Sequence, residues 1–450
     1  MRKRDFLLSS AALALAACAT TIDPTPDYAQ AREAATEAIG VDAARVPGEA
    51  ALESAEIEAL LAEGLSLDEA RVLALRNSRR LQAAFLSVGI AKADFEQSGL
   101  LRNPTLGLAY LWPDGGGRKR IGGEVVQSLS ELWQLEFRQE LARAELRERV
   151  LEVAREAATL VIDVEQEFLV FDAVRAEARV ADEQWLVATE TLRLVERRVA
   201  AGIGVSTEAA QARAELARAE VALSLVARSL VESRRRLATL LSLPGDPARI
   251  VPLTRVDEGA LEGTPSLEAL LARAEERRLD LRAAGLVVQS AEASIALERR
   301  RARPDVSVGI EAEHPEVGTN TPFVGGFNGS IELPIFDSGE VAIRRAELVR
   351  EQALEEQAML RIEAEQQVRA AHAALVGALA TLELVDTRSL PAAERSAELA
   401  LKAFERQSAT ALDLARAQGA LVEARRARAE AFAAVARARF ELARATGGGT

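Results

Sequence analysis

From residue 157 onward apolar side chains recur at steps of seven, with Ala157, Val164, Phe171, Ala178, Trp185, Leu192 and Val199 in one column and Ala181, Ala188 and Val195 beside it. A seven-residue period held over so many turns marks a coiled-coil seam. A helix covering about 130 to 201 would run about 100 Å at its rise per residue. Near the C-terminus Ala417, Ala424, Ala431 and Ala438 form a second column, and Leu414, Leu421, Val435 and Leu442 a third, which Arg428 interrupts. Small side chains in these columns let helices approach closely. Helix starts are also legible: Ser66-Leu67-Asp68-Glu69 is a capping box, and Thr264-Pro265 places a cap before a proline suited to a first helical position.

Two short stretches follow a period of two instead. After Pro104, Leu106, Leu108, Tyr110 and Trp112 alternate with Thr105, Gly107 and Ala109; after Pro304, Val306, Val308 and Ile310 alternate with Ser307, Gly309 and Glu311. Partner strands follow, with Val125 and Leu129 opposite Glu124 and Ser128, and with Phe327, Ile331 and Leu333 opposite Asn328, Ser330 and Glu332. Proline disfavours the helical region in the residue before it, so Asn103-Pro104 and Arg303-Pro304 are natural places for a helix to end and a strand to begin. Strands of about ten residues with one apolar and one small or acidic face suit a transmembrane barrel; a soluble hairpin with one face on a core shows the same alternation. Four strands are too few to close a barrel, and open edges are not tolerated in lipid, so membrane entry requires several chains to pool them. In that case Glu124, Glu311 and Glu332 face the lumen, the loops at 112–120 and 314–326 face outside, and Tyr110 and Trp112 fit an interfacial belt.

The two proline-to-strand passages belong to a longer repeat. Residues 66–110 align without a gap on 266–310, with Leu67/Leu267, Leu81/Leu281, Ala91/Ala291 and Pro104/Pro304 identical. The segment at 123–129 matches 329–335, and 202–216 matches 407–421. The chain therefore reads as a tandem duplication: a first repeat over 65–247, a linker at 248–264, a second repeat over 265–446 and a tail at 447–450. Each half runs helix, strand, strand, long helix, turn, helix.

Upstream of the repeats, Arg2, Lys3 and Arg4 precede an apolar run to Ala17 that is too short to span a bilayer and reads as an export signal, residues 1–17. Leu15-Ala16-Ala17-Cys18 resembles the bacterial lipobox, which makes Cys18, the only cysteine, the lipidation site of an N-terminal segment over 18–64. The export route, general or twin-arginine, stays open. A single acyl-type anchor gives only part of a stable membrane attachment.

Composition removes other functions. The net charge is -13 and the basic residues are interspersed with an excess of Glu and Asp, which leaves no stripe for a phosphate backbone and excludes nucleic acid. The two histidines, His314 and His372, have no spaced Cys, Asp or Glu for a metal site, and Gly202-Ile203-Gly204 completes no nucleotide fingerprint. No cofactor and no enzymatic activity are expected.

The lipobox, the duplicated helix running into a proline and strand, and the stretches at 330–347, 197–216 and 237–247 together resemble the TolC family of outer-membrane efflux channels, in particular its lipoprotein branch. The resemblance covers about 60 to 446. It implies a mainly α protein with four transmembrane strands per chain, three chains forming a 12-stranded barrel continued by a helical tunnel across the periplasm. It implies a passive duct of a tripartite efflux or secretion system in a Gram-negative outer membrane, partnered by a periplasmic adaptor and, through it, an inner-membrane pump. Ala201, Gly202 and Ile203, with Arg406, Gln407 and Ser408, fall at the periplasmic tip where the adaptor docks. The second turn lacks the family's glycine. Asp413 falls where members place an acidic residue at the tip constriction, while Thr410 to Asp413 is itself a capping pattern; Glu208 is its counterpart in the first half. A periplasmic coiled-coil adaptor or scaffold lipoprotein with soluble hairpins is the alternative, and such adaptors carry a glycine-rich β-domain split by one helical hairpin.

Overall fold

The computed structural model describes residues 22–112, 114, 119–202, 204–253, 265–314, 322, 324–406 and 408–448. In chain order they form α1 (Thr25–Ile39), α2 (Ser54–Glu63), α3 (Leu67–Asn77), α4 (Arg79–Ser98), β1 (Thr105–Leu111), β2 (Arg120–Ser128), α5 (Ser130–Ala200), α6 (Ser206–Leu240), α7 (Leu267–Arg277), α8 (Leu279–Arg301), β3 (Val306–His314), β4 (Val324–Ile331), α9 (Glu340–Leu384), a π-helical turn (Val385–Ser389), α10 (Leu390–Glu405) and α11 (Ala411–Ala445). The fold is mainly helical with one small sheet. Of the described residues, those up to 31, within 84–152 and within 280–359 make one compact unit, and those within 32–83, within 153–279 and from 360 onward make another.

The first unit holds the sheet. Its order is β1-β2-β3-β4, every pair antiparallel, so β2 of the first half hydrogen-bonds to β3 of the second. The strands are 7, 9, 9 and 8 residues long, somewhat shorter than the alternation in sequence suggests. Ser130 Oγ accepts from Val306 N at 2.6 Å, which ties the start of α5 to the start of β3. α1 lies against α4 through an edge-on Tyr28–Phe85 ring pair at 6.3 Å and through Lys92, which reaches Asp27 at 3.8 Å.

The second unit is packed through the heptad columns. Ala157, Val164 and Phe171 of α5 are buried, as are Ala181 and Val195. Leu270 and Ala274 of α7 join Val368, Leu375 and Leu382 of α9 and Val435, Ala438 and Leu442 of α11 in one cluster. Each large side chain so buried contributes roughly 1.5–3 kcal/mol. Arg428, the interruption in the third column, turns to the π-helical turn, where its Nε donates to Asp386 Oδ1 at 2.8 Å.

Several expectations shift. The capping box at Ser66 forms, with Glu69 Oε2 accepting from Ser66 N at 2.9 Å. In the second half the cap is Ser266, one residue after Pro265; Thr264 lies outside the described residues. The helix expected to run unbroken into each proline is split, at Ser78 and again at Arg278, because the chain leaves helical geometry there with ψ near 116° and 118°. The long helix of the second half is likewise broken by the π-helical turn. Gly447 and Gly448, set apart in sequence as a tail, close α11 through bonds from Gly448 N to Ala443 O at 2.9 Å and from Gly447 N to Arg444 O at 3.3 Å, the pairing of a Schellman cap.

Candidate channel wall and helical tip

The sheet presents one continuous apolar face. In register, Leu106 of β1 pairs with Val125 of β2, Val125 with Ile310 of β3 and Ile310 with Phe327 of β4, a single row of large apolar side chains across all four strands. Nothing among the described residues covers them: Leu108 is 80% and Phe327 91% exposed. A soluble hairpin would turn this face onto a core. The apolar run continues past β4 through Leu333, Ile335 and Phe336, all exposed. At the other end of the sheet the rings of Tyr110 and Trp112 lie 5.9 Å apart, Trp112 being just beyond β1.

The opposite face is polar. Glu124 and Glu311 are direct cross-strand partners, and Asn328 Nδ2 donates to Glu124 Oε2 at 3.1 Å. Glu332, expected in the same strand, lies one residue past β4, where its N–H donates to Asp305 O at 2.8 Å. Arg120, expected in the outer loop, instead opens β2 and donates from Nε to Glu313 Oε1 at 2.5 Å. Sequence reasoning missed Glu313 and Arg120, although Glu311 and Glu313 keep the same alternation and the pairing of β2 with β3 then brings Arg120 beside them.

At the far end of α5 the chain reverses through 201–205. Gly202 has φ +73, a left-handed value that side chains with a Cβ rarely adopt, and a Cβ there would meet open space. Gly204 is closed in: a Cβ would sit 2.8 Å from Val199 N. The second reversal, 406–410, reaches a similar end without glycine among its described residues: Ser408 N donates to Ala403 O at 2.9 Å and Ser408 Oγ to the same oxygen at 3.0 Å. Ala201, Gly202, Arg406 and Ser408 are exposed; Ile203 and Gln407 lie outside the described residues, as does Cys18. Beneath the turns Val195, Ala209 and Ala212 pack with Leu192, Val199 and Phe404, so α10 of the second half closes on α5 and α6 of the first. Arg213 and Glu196 bridge α6 to α5 at 2.7 Å, and Arg425 and Glu183 bridge α11 to α5 at 2.9 Å.

Asp413 stands in the first turn of α11 in a complete capping box with Thr410. Its Oδ2 accepts from Thr410 Oγ1 at 2.6 Å and from Thr410 N at 3.0 Å, and these bonds hold its carboxyl below the usual range. The counterpart turn has no such box: Val205 caps α6 without a side-chain bond, and Glu208 is left in the first turn. Among the described residues no group of three or more His, Cys, Asp or Glu is placed to hold a metal ion.

Residues 270–448 match the family described as outer membrane efflux protein. No curated protein sequence matches the chain. Among solved structures the chain resembles CusC, a transmembrane channel, at 19% identity with TM-score 0.72 over 85% of this chain and 92% of that one. It resembles the outer membrane protein VceC of Vibrio cholerae at 19% identity with TM-score 0.70 over 85% and 96%, and the outer-membrane channel OprN at 18% with TM-score 0.72 over 92% and 96%. At that identity the likeness establishes the fold, and the match to the outer membrane efflux proteins covers residues 270–448, the second repeat of the chain.

Proposed function

We propose that this chain is the outer-membrane component of a tripartite efflux or secretion system, a passive duct that carries small molecules or ions from the periplasm to the outside. Three copies pool their strands into a 12-stranded barrel, and their helices line a tunnel below it. A periplasmic adaptor meets the tip at Ala201, Gly202, Ile203, Arg406, Gln407 and Ser408 and connects it to an inner-membrane pump. Cys18 carries the lipid that tethers the segment before α1 to the outer membrane. Glu124, Glu311 and Glu332 face the lumen and favour cations, and Asp413 lines the constriction at the tip.

One observation carries this reading. A four-stranded sheet has an uncovered apolar face on one side, carboxylates on the other, and β1 and β4 as edges with no partner strand among the described residues. Such a sheet is stable in lipid only when closed. A second feature supports assembly of copies: Val341, Leu348, Ile362 and Val376 of α9 are large, apolar and exposed on one heptad phase, with Glu355 and Arg369 at the positions between them. The test is mass and conductance. Detergent-extracted protein of trimer mass that opens stable conductances in planar bilayers is the expected result; a monomer that is soluble once Cys18 is replaced by Ser, and that conducts nothing, sinks it.

A further inference from the structure

The proposed trimer leaves the join between copies undefined, and the register of the sheet sets limits on it. Along the hydrogen-bonding direction the row from Leu106 through Val125 and Ile310 ends at Phe327. Continued across the edge of β4, this row meets β1 of the next copy, which runs antiparallel to it. The residue it meets is displaced from Leu106 by a fixed shift. Because side chains alternate, only an even shift keeps apolar residues on the lipid side. Threefold symmetry makes the total shear three times that shift. Shifts of two, four and six residues give strand tilts of roughly 19°, 35° and 46° for a 12-stranded barrel, and barrels tilt by about 35–45°.

Overlap and the prolines separate the remaining two. A shift toward lower numbers would set β4 against the segment before Thr105, which contains the end of α4 at Ser98 and has no strand to offer. A shift of four toward higher numbers sets Gly326 through Ile331 against Leu111 through Leu106 of β1, six ladder positions; a shift of six leaves four. With the shift of four, Leu333 and Pro334 lie opposite the partner's Pro104 and the partner's Asn103, so both prolines, which have no N–H to give, fall just outside the ladder. With a shift of six, Pro334 would fall opposite the partner's Thr105, inside β1.

We infer that copies of this chain join through a β4–β1 seam in which Phe327 stands directly opposite the partner's Tyr110, with Gly329 opposite the partner's Leu108 and Ile331 opposite the partner's Leu106. The apolar row then rises by four residues at each seam, and two exposed aromatic side chains on the lipid face become cross-strand neighbours. Aromatic pairs so placed add to the stability of an antiparallel ladder. The surface and its occupant are therefore both this chain: the free edge of β4 is complementary to the free edge of β1.

This rests on the trimeric channel reading, and its test separates the two. Directly paired strand residues have Cα atoms about 4.5–5.5 Å apart, within the span of a disulfide, and the only native cysteine is Cys18. The full-length protein carrying Phe327→Cys with Tyr110→Cys, and separately Ile331→Cys with Leu106→Cys, is oxidised in the outer membrane and run without reductant. Both pairs are expected to give covalent dimers and trimers, while each single variant gives none and Phe327→Cys with Trp112→Cys or Leu108→Cys gives several-fold less. A trimer by mass in which a shifted pair cross-links best, or in which no pair cross-links, overturns the register and leaves the channel standing. A chain monomeric by mass and by cross-linking overturns both.

Discussion

Leu382 and Leu390 stand eight residues apart and both turn inward, one residue more than the step of seven from Leu375 to Leu382 and from Leu390 to Ala397. The π-helical turn Val385–Ser389 between them takes up the extra residue. Its cause is in the sequence just beyond. Pro391 has no N–H for the carbonyl four residues back, and its ring crowds that carbonyl, so a regular helix is disfavoured there. A π-turn widens the coil at that point and resets the phase of everything after it. The seam resumes through Leu390, Ala397 and Phe404, and Phe404 reaches the cluster under the tip.

A paired change should therefore be tolerated where either part alone is not. Deleting Thr387 together with Pro391→Ala removes both the extra residue and the reason for it, and the seven-residue step is restored. Thermal unfolding followed by circular dichroism should stay within a few degrees of the parent. Deleting a residue between Val368 and Leu375, where the step is regular, rotates the rest of α9 by about 100° and turns its apolar column to solvent, and should lower the melting temperature by more than 10 °C. Equal losses for the two deletions would show that the π-turn does not carry the phase.

That relationship also marks how far the sequence could be read. The columns on α5 and α11 announced themselves because their step is constant, and the strands after Pro104 and Pro304 because proline and a change of period coincide. The break between Leu382 and Leu390 did not, since a single inserted residue in an Ala- and Leu-rich helix leaves enough apolar positions for an unbroken column to be imagined. The sheet faces were legible from alternation, which puts Glu124 and Glu311 on the face opposite Leu106 and Ile310. The pairing of β2 with β3 was not, because local alternation says nothing about which strands adjoin, and so the bond between Arg120 and Glu313 went unseen. At the tip the glycine of the first turn was visible, whereas the hydrogen-bonded closure by Ser408 depends on geometry with no fixed residue signature.

A second prediction concerns acid. Glu167 of α5 is buried and accepts from Ser233 Oγ of α6 at 2.9 Å. Burial pushes its pKa up, and the bond from Ser233 only partly opposes this. A carboxyl raised in the folded state contributes stability that is fully present below its unfolded value of about 4.3 and is lost as pH rises through the raised folded value. Glu165 and Asp163, raised chiefly by burial as well, act in the same sense. Glu167→Gln keeps an acceptor for Ser233 and removes the buried charge. Its melting temperature at pH 7.5 should exceed that of the parent by about 2 °C, and the gap should narrow by pH 5. A gap independent of pH would mean that the carboxylate is not what burial penalises.

The last prediction separates two roles at Asp413. As a helix cap its carboxylate serves Thr410, and because those bonds depress its pKa the stabilisation is present above the unfolded value of about 3.9 and lost as pH falls through the lower folded one. As part of the proposed tip constriction it would instead act through its charge on passing ions, with two more copies facing it. Thr410→Ala removes the hydroxyl and leaves the charge, at a cost of about 1 kcal/mol to the start of α11. Asp413→Asn removes the charge and leaves an oxygen able to accept from Thr410. Reversal potentials across a KCl gradient in planar bilayers read the difference. If the constriction reading holds, Asp413→Asn should lower cation preference roughly twofold while Thr410→Ala leaves it unchanged. Should both variants keep the parent selectivity and differ only in the stability of the turn at 406–410, Asp413 is a cap and the charge at the tip lies elsewhere.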